Sequence, residues 1–252
     1  MRKSIKILAI GNSFSVDGME YLWDILSSAG YSEIILGNLA IASCTVEMHA
    51  DNVKSNVPLY QYGKNTSGQW VWELDKPFTH GFFDEDWDII TLQQASGYSG
   101  IADTYKRKSE ILDFILGNNK NAKILWHMTW AYDDDSPHTH FGFYQKSQDV
   151  MYKAILDAVR SEILPCKAIS GVIPSGVAIQ KLRASTNINL TRDSFHLSKS
   201  LGRYTAALTW ACAICNVNPN TVGWMPEEYR REVSENIDNI RKSVIDAVNF
   251  KL

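Results

Sequence analysis

The apolar positions of the chain fall into short runs that alternate with stretches of helical spacing. Five runs are short, rich in β-branched residues and bounded by turn residues, which is typical of buried strands. These runs cover residues 5–10, 33–39, 87–92, 123–130 and 168–173. The remaining apolar residues repeat with a helical period. Helices are therefore predicted over about 16–29, 104–116, a segment ending near 163, 177–184, 198–215 and 226–249.

This alternation predicts a parallel sheet that is covered by helices on both faces. Each strand-to-strand connection is long enough to hold a crossover helix, as parallel pairing requires. We expect an α/β fold, a three-layer α/β/α sandwich with a central, mainly parallel five-stranded sheet. The sequence contains no internal repeat and no linker-like segment, so residues 1–252 are expected to form a single domain.

Residues 47–86 interrupt the alternation. Two aromatic-rich runs, 59–62 and 69–72, flank a Gly-Lys-Asn-Thr-Ser-Gly turn. This pattern predicts a β-hairpin insertion. Its aromatic side chains either pack the hairpin onto the sheet or line a substrate cleft, and packing is the simpler role for most of them.

Composition and charge limit the classes of partner that the protein is expected to bind. The net charge is −3, with Lys and Arg scattered along the chain, which argues against a nucleic-acid partner. No apolar run approaches the ~18 residues of a membrane span, so we expect a cytoplasmic protein, or a secreted one if a leader has been removed. Cys212 and Cys215 lie in an apolar helical run, which favours packing over redox or metal chemistry. Base rates favour a homodimer.

The first candidate for chemistry is Ser13, which ends the first strand in the sequence Gly11-Asn12-Ser13. In open α/β sheets, the carboxyl ends of the strands carry the ligand-binding and catalytic groups. A backbone N–H close to the start of the following helix also suits a developing oxyanion. Serine in such a turn commonly caps a helix, so a catalytic assignment needs partner residues.

Those partners lie near the C-terminus, where Asp193 and His196 form an Asp-x-x-His motif. A carboxylate at this spacing can accept a hydrogen bond from the imidazole Nδ1–H, which leaves Nε2 free to take a proton from a hydroxyl. We predict that Ser13 is the nucleophile, His196 the base and Asp193 the residue that orients the base.

Together these motifs resemble the SGNH (GDSL-like) hydrolases over nearly the whole chain. That superfamily has its nucleophile in a Gly-Asp/Asn-Ser turn after strand one, and its last motif is Asp-x-x-His. The chain differs from the Gly-x-Ser-x-Gly elbow of α/β-hydrolases because Ser15 stands at the second glycine position. The resemblance implies a flavodoxin-like fold and acyl transfer to water through a Ser-His-Asp triad.

The middle motifs depart from the family pattern. A glycine usually follows strand two and supplies an oxyanion-hole N–H, and Ser43 aligns with it. An asparagine amide usually follows strand three, and this chain offers Gln93 or Gln94 instead. We favour Gln93 over Gln94. Carbohydrate-esterase branches of the superfamily are similar in using glutamine there. In the alternative interpretation, both amides only satisfy the backbone of the loop.

Further residues are candidates for the substrate pocket. His127, Trp130 and Tyr132 follow one another at the end of the predicted fourth parallel strand. Arg192 either contacts an acidic substrate or pairs with a surface carboxylate. His138 and His140 lie beside three aspartates at 133–135, but their spacing matches no zinc pattern. We expect no metal and no other cofactor.

From these residues we expect a serine esterase that acts on small acyl groups, most of all O-acetyl groups on a carbohydrate. The substrate is then a small-molecule or carbohydrate ester. Two alternatives stay open. One is a lipid or thioester acyl hydrolase, and the other is an inactive carbohydrate-binding protein on the same fold.

Overall fold

The computed structural model of the protein describes residues 3–186 and 188–252. A single sheet of seven strands forms its centre. The strands are Lys3–Gly11 (β1), Tyr31–Ala40 (β2), Tyr60–Asn65 (β3), Trp70–Lys76 (β4), Ile89–Leu92 (β5), Lys123–His127 (β6) and Gly171–Ile173 (β7). Their order across the sheet is β4-β3-β2-β1-β5-β6-β7.

The five predicted parallel strands are all present and adjacent to one another, which confirms the predicted fold class. Strand β1 pairs in parallel with both β2 and β5, and β5, β6 and β7 continue the parallel pairing. The predicted hairpin adds two strands, because β3 pairs antiparallel with β2 and β4 with β3. The sheet therefore has seven strands and a chain reversal on either side of β1, the arrangement in which open α/β sheets place their sites.

Helices cover both faces of the sheet. They are Ser13–Met19 (α1), Leu22–Ser28 (α2), Val46–Ser55 (α3), Phe78–Phe82 (α4), Lys108–Asn118 (α5), Gln148–Ala158 (α6), Ser175–Ser185 (α7), Leu201–Cys215 (α8) and Arg230–Val248 (α9). Contacts link α1, α2, α7, α8 and α9 into one layer, and they link α3 to α4 and α5 in the other. The free thiols Cys212 and Cys215 lie at the end of α8.

The structure differs from the sequence prediction at two helical segments. The helix expected over 16–29 is two helices, because the helical structure is interrupted at Glu20 and Tyr21. Helix α3 was not predicted, since its buried side includes polar residues that hide the apolar period. Its first turn is capped by Thr45 Oγ1, which accepts a hydrogen bond from Met48 N–H.

The sheet core is built from strands that are apolar on both sides. Ile7, Leu8 and Ile90 are completely buried, as expected for central strands with helices on both faces. The predicted packing role holds for the first strand of the hairpin, where Tyr60 and Tyr62 are buried. Within the described ranges, none of the helices has the length and apolarity that a membrane span needs.

Candidate active site

Ser13 is the first residue of α1, and only Asn12 separates it from the end of β1. The turn is held by Asn12, whose Oδ1 accepts a hydrogen bond from Phe14 N–H at 3.0 Å. Gly11 is needed before it, because a Cβ there would come within 2.7 Å of Ser15 Oγ. This tight strand–turn–helix geometry places Ser13 at the carboxyl edge of the sheet, at the start of a helix.

The structure brings Ser13, His196 and Asp193 into one chain of hydrogen bonds. Ser13 Oγ lies 2.8 Å from His196 Nε2, and His196 Nδ1 lies 2.7 Å from Asp193 Oδ2. Because a carboxylate only accepts, the ring proton is assigned to Nδ1, and Nε2 accepts from the serine hydroxyl. This is the relation of nucleophile, base and orienting acid that the two motifs predict.

Asp193 holds both the ring and the backbone of His196. Its Oδ1 accepts from His196 N–H at 2.7 Å. Partial burial by itself would raise the pKa of Asp193, but the hydrogen bonds from the His196 ring and backbone outweigh it, so the pKa lies below its ordinary value. Asp193 is therefore ionised at neutral pH.

The loop that carries His196 is anchored by Asp17 of α1, a residue that the sequence analysis did not identify. Asp17 is 1% exposed, and its carboxylate accepts from Leu197 N–H at 2.8 Å. Both of its oxygens also lie 3.1 Å from Arg192 Nη1, and Arg203 Nη2 lies 2.7 Å from Oδ1. Arg192 thus pairs with a carboxylate of the protein, although with a buried one and not with the surface carboxylate that the sequence predicted. A carboxylate inside an apolar helical stretch was the available sequence signal.

Trp130 supports the same loop from its other side. It is completely buried, and its Nε1–H donates to Phe195 O at 2.8 Å. Its ring stacks on Phe14 with centroids 4.3 Å apart and planes 12° apart. The prediction that Trp130 contacts substrate is corrected: it joins the residue after Ser13 to the residue before His196.

The prediction that Tyr132 lines the substrate pocket is also corrected, because its side chain is buried. Its ring is 0% exposed and its hydroxyl shares a hydrogen bond of 2.7 Å with Ser96 Oγ. Burial raises the pKa of the phenol well above its ordinary value, and the Ser96 contact only partly offsets this. Tyr132 therefore stays neutral and connects the loops that follow β5 and β6.

Gln93 follows β5 and lies against the turn that holds Ser13. Its Nε2 donates to Asn12 Oδ1 at 2.8 Å, and its Oε1 accepts from His127 Nδ1 at 2.8 Å. Asn12 Nδ2 donates onward to Cys44 O at 3.2 Å. The amide is thus fixed against the turn that holds Ser13. One of its two N–H groups donates to Asn12 Oδ1.

His127 lies behind Gln93, where the sequence predicted a substrate contact. It is 1% exposed, and its Nε2 lies 3.1 Å from the hydroxyl of Ser175, the first residue of α7. Burial lowers the pKa of His127 to about 3, so the ring is neutral. Because Nδ1 donates to Gln93, Nε2 accepts from Ser175 Oγ–H. His127 thus orients Gln93 from a position that solvent does not reach.

Gln94 makes a complete set of hydrogen bonds within the protein. Its Oε1 accepts from Val46 N–H and Ala95 N–H at 2.9 and 2.8 Å. Its Nε2 donates to both the carbonyl and the hydroxyl of Thr104, each at 2.9 Å. No N–H of Gln94 is left for an oxyanion. Of the two glutamines, the geometry leaves Gln93 as the candidate donor and assigns Gln94 to the loops.

Ser43 lies in an exposed loop that is tied to the Ser13 turn. Ile41 N–H donates to Gly11 O at 3.2 Å, and Cys44 O accepts from Asn12 as described above. Ser43 itself has a φ of 55°, the left-handed region in which glycine is favoured. Within residues 3–186 and 188–252, its backbone N–H donates to no backbone oxygen.

The two histidines of the loop after β6 stand beside the loop that carries His196. The His138 ring lies 5.2 Å from Phe195, and the His140 ring lies 5.4 Å from His138. No group of three or more His, Cys, Asp or Glu side chains in the described part of the chain is arranged to hold a metal ion.

The fold is that of the SGNH hydrolases. A protein proposed to be an SGNH hydrolase from Slackia heliotrinireducens is 16% identical, with a TM-score of 0.52 over 83% of this chain and 98% of its own. An acetyl xylan esterase variant from Geobacillus stearothermophilus is 11% identical, with a TM-score of 0.50 over 90% of this chain and 98% of that one. These likenesses concern the fold.

The particular family follows from a closer match. A model of the "Domain of unknown function (DUF4886)" matches residues 6–244. The crystal structure of a DUF4886 family protein from Bacteroides uniformis is 36% identical, with a TM-score of 0.88, over 98% of this chain and 94% of that chain. The chain belongs to the DUF4886 family. The comparison with curated proteins gives no match.

Proposed function

We propose that this protein is a serine esterase that removes small acyl groups, O-acetyl groups in particular, from a carbohydrate. The observation that carries the proposal is the chain Ser13 Oγ–His196 Nε2–Asp193, with distances of 2.8 and 2.7 Å. Hydrogen-bond reach between nucleophile and base, with the base held by a third group, is what acyl transfer through serine requires.

In the proposed mechanism, Ser13 Oγ attacks the ester carbonyl while His196 Nε2 takes its proton. The ionised Asp193 stabilises the imidazolium that forms. His196 then gives the proton to the leaving alcohol, which breaks the C–O bond and leaves an acyl-serine. Water, deprotonated by His196, attacks the acyl-serine, and Ser13 regains its proton as the carboxylic acid leaves.

The oxyanion hole of this proposal has three donors. Ser13 N–H is one of the first N–H groups of α1, which have no acceptor inside the helix. Ser43 N–H lies in the loop tied to Asn12, and Gln93 Nε2 keeps a second N–H beyond its bond to Asn12. Removal of one such donor typically lowers the rate by about 10²–10³.

Aromatic packing beside Ser13 favours a short acyl group. Phe14 follows Ser13 directly, is buried, and stacks on the buried Trp130. The protein interior on this side of Ser13 is therefore filled with ring contacts at ordinary packing distance. A small acyl group needs no room there, whereas a long chain has to lie elsewhere.

A row of rings leads outward from the base and favours a carbohydrate as the alcohol. The ring centroids of Phe195 and His196 lie 4.3 Å apart, and those of His138 and Phe195 lie 5.2 Å apart. Further out, the ring centroids of Tyr98 and His140 lie 4.5 Å apart. A cavity of about 300 Å³ adjoins Tyr98 and is otherwise lined by polar residues, Thr45 among them. Ring faces beside hydroxyls and carboxylates suit a sugar, whose C–H faces are apolar and whose edges are polar.

The test is hydrolysis of chromogenic esters of increasing acyl length by the wild type and by Ser13→Ala. We expect turnover of the acetate ester that falls with acyl length and drops to background in the variant, with melting curves showing that the variant is folded. A rate that rises with acyl length would favour a lipid or thioester acyl hydrolase. Equal rates for the two proteins would favour the inactive binding protein.

A further inference from the structure

A second cavity, of about 720 Å³, lies at the opposite end of α1 from Ser13. It is formed where the α1–α2 junction, the turn of the β3–β4 hairpin and the segment before α9 meet. Helix α1 has seven residues, so the cavity begins about 10 Å along the helix axis from Ser13. Its volume is within the range of about 300–1,000 Å³ that small-molecule sites occupy.

Four partly exposed aromatic side chains come to this cavity from separate parts of the chain: Tyr21, Trp70, Trp224 and Tyr229. The rings of Tyr21 and Trp224 lie 5.5 Å apart. Tyr21 is fixed by its hydroxyl, which donates to Lys199 O at 2.7 Å, and Trp70 Nε1–H reaches Glu20 O at 3.4 Å. The rings of Tyr21 and Trp70 are therefore held in place while part of each stays open to solvent.

Polar groups of both signs stand between these rings. Glu20 pairs with Arg203 at 3.2 Å, so part of the acidic charge is compensated within the wall. Gln69 and Asp24 add further hydrogen-bonding groups. Burial raises the pKa of Asp24 to about 6, so near neutral pH this carboxyl exchanges readily between accepting and donating forms. Such a wall offers both donors and acceptors to hydroxyl groups.

We propose that this cavity binds a neutral oligosaccharide, at a site separate from Ser13. Sugar rings present apolar C–H faces that match the negative faces of aromatic rings, and hydroxyl edges that match carboxylates and amides. Acidic groups around the cavity disfavour a polyanion, and the cations Lys199 and Arg203 disfavour a multiply charged cation. The inference concerns binding alone and does not depend on the chemistry proposed for Ser13.

The experiment is isothermal titration calorimetry with unsubstituted xylotetraose, cellotetraose and chitotetraose as probes. The proteins are the wild type, Trp70→Ala, Tyr229→Ala, and Ser13→Ala, which leaves the cavity intact. Phe83→Ala is the matched control, because Phe83 is an aromatic residue that is 58% exposed and lies outside this cavity. Melting curves establish that each variant is folded, and Tyr229→Ala serves alone if the hairpin variant Trp70→Ala unfolds.

We expect at least one probe to bind the wild type, with a Kd that rises at least tenfold in Trp70→Ala and Tyr229→Ala. Ser13→Ala and Phe83→Ala should keep the wild-type Kd. Absence of binding by all three probes at millimolar concentration would overturn the proposal. Binding that the two cavity variants leave unchanged would also overturn it, as would binding of choline, tested as a cationic probe, in place of the sugars.

Discussion

At the scale of single residues, the candidate site depends on buried side chains that lie behind the turn that holds Ser13. Ser175, His127, Gln93 and Asn12 form a buried chain of hydrogen bonds along the carboxyl edge of the sheet. From Ser175 to Asn12 each member donates to the next, so each amide and ring has a single orientation. A neutral His127 is essential to this order, because a protonated ring would present N–H groups to both neighbours.

The two adjacent glutamines offer a matched comparison. Gln93→Ala is expected to lower kcat for an acetate ester by about 10²–10³ with little change in KM, since an oxyanion donor acts in the transition state. Gln94→Ala is expected to reduce the free energy of unfolding by about 1–3 kcal/mol, because buried N–H groups of Val46 and Ala95 lose their acceptor. Steady-state kinetics and urea denaturation separate the two. Equal losses of kcat in both folded variants would count against a role for Gln93 as an oxyanion donor.

Variants of Ser43 test whether its backbone N–H, without the side chain, is enough for a role in the oxyanion hole. Ser43→Gly keeps the N–H and suits the positive φ, so kcat/KM of the wild type should be retained. Ser43→Val keeps the N–H as well, but a β-branched residue strongly disfavours the left-handed conformation, so the loop should shift and kcat should fall. Kinetics on a chromogenic acetate ester compare the two. A large loss in Ser43→Gly would mean that the serine hydroxyl itself takes part.

At the scale of elements, two segments distant in sequence are locked together to form the site. Helix α1 contributes Ser13 at its start and the anchor Asp17 one turn later, while the loop before α8 contributes Asp193 and His196. The loop is closed by a bridge between Thr191 and Leu197. Because Asp17 binds Leu197 N–H, the helix that carries Ser13 also fixes the position of His196.

The start of α8 leaves this loop no spare room. A Cβ on Gly202 would lie 2.4 Å from Leu190 O and 2.9 Å from Leu197 Cβ. Gly202→Ala should therefore displace the loop, lower kcat and cost about 1–3 kcal/mol of stability. Gly117→Ala in α5 is the control, since nothing lies within 4 Å of its Cβ, and it should stabilise the protein by about 0.5–1 kcal/mol. Kinetics and thermal melting measure both. A fully active, equally stable Gly202→Ala would show that the loop is not constrained there.

At the scale of the whole molecule, the buried polar edge links stability to pH. Burial lowers the pKa of His127 to about 3, whereas an unfolded histidine has a pKa near 6.5. Between these values the unfolded chain binds a proton that the folded chain does not. The free energy of unfolding must therefore fall as the pH falls through this window, by up to about 1.4 kcal/mol per pH unit for this one group.

We expect His127→Gln to have a shallower pH dependence than the wild type. Urea denaturation at pH 6, 5 and 4 should show a slope that is smaller by close to one proton, whatever the absolute stability of the variant. His49→Gln is a second, independent test of the same effect. Burial also lowers the pKa of His49 to about 3, so this variant should reduce the slope in the same way. Identical slopes in wild type and His127→Gln would mean that His127 is protonated in the folded protein.

The sequence by itself determined the fold class and the three residues that now meet at Ser13. Both follow from local rules, because a parallel strand with a crossover helix has a recognisable period and the ends of such strands gather at one edge. The aromatic hairpin was also predicted from its turn, although not its addition to the sheet, since edge pairing depends on the partner strand.

Only the tertiary structure decided which polar residues face solvent and which face one another. His127, Trp130, Tyr132 and Arg192 follow strand ends or adjoin Asp193, where sequence position predicts a pocket, yet they are buried or paired behind it. Gln93 and Gln94 are neighbours with identical side chains and differ only in what surrounds them. The physical reason is that burial and hydrogen-bond partners arise between elements distant in sequence, as in the contact of Asp17 with Leu197 across 180 positions, and no local pattern records such a meeting.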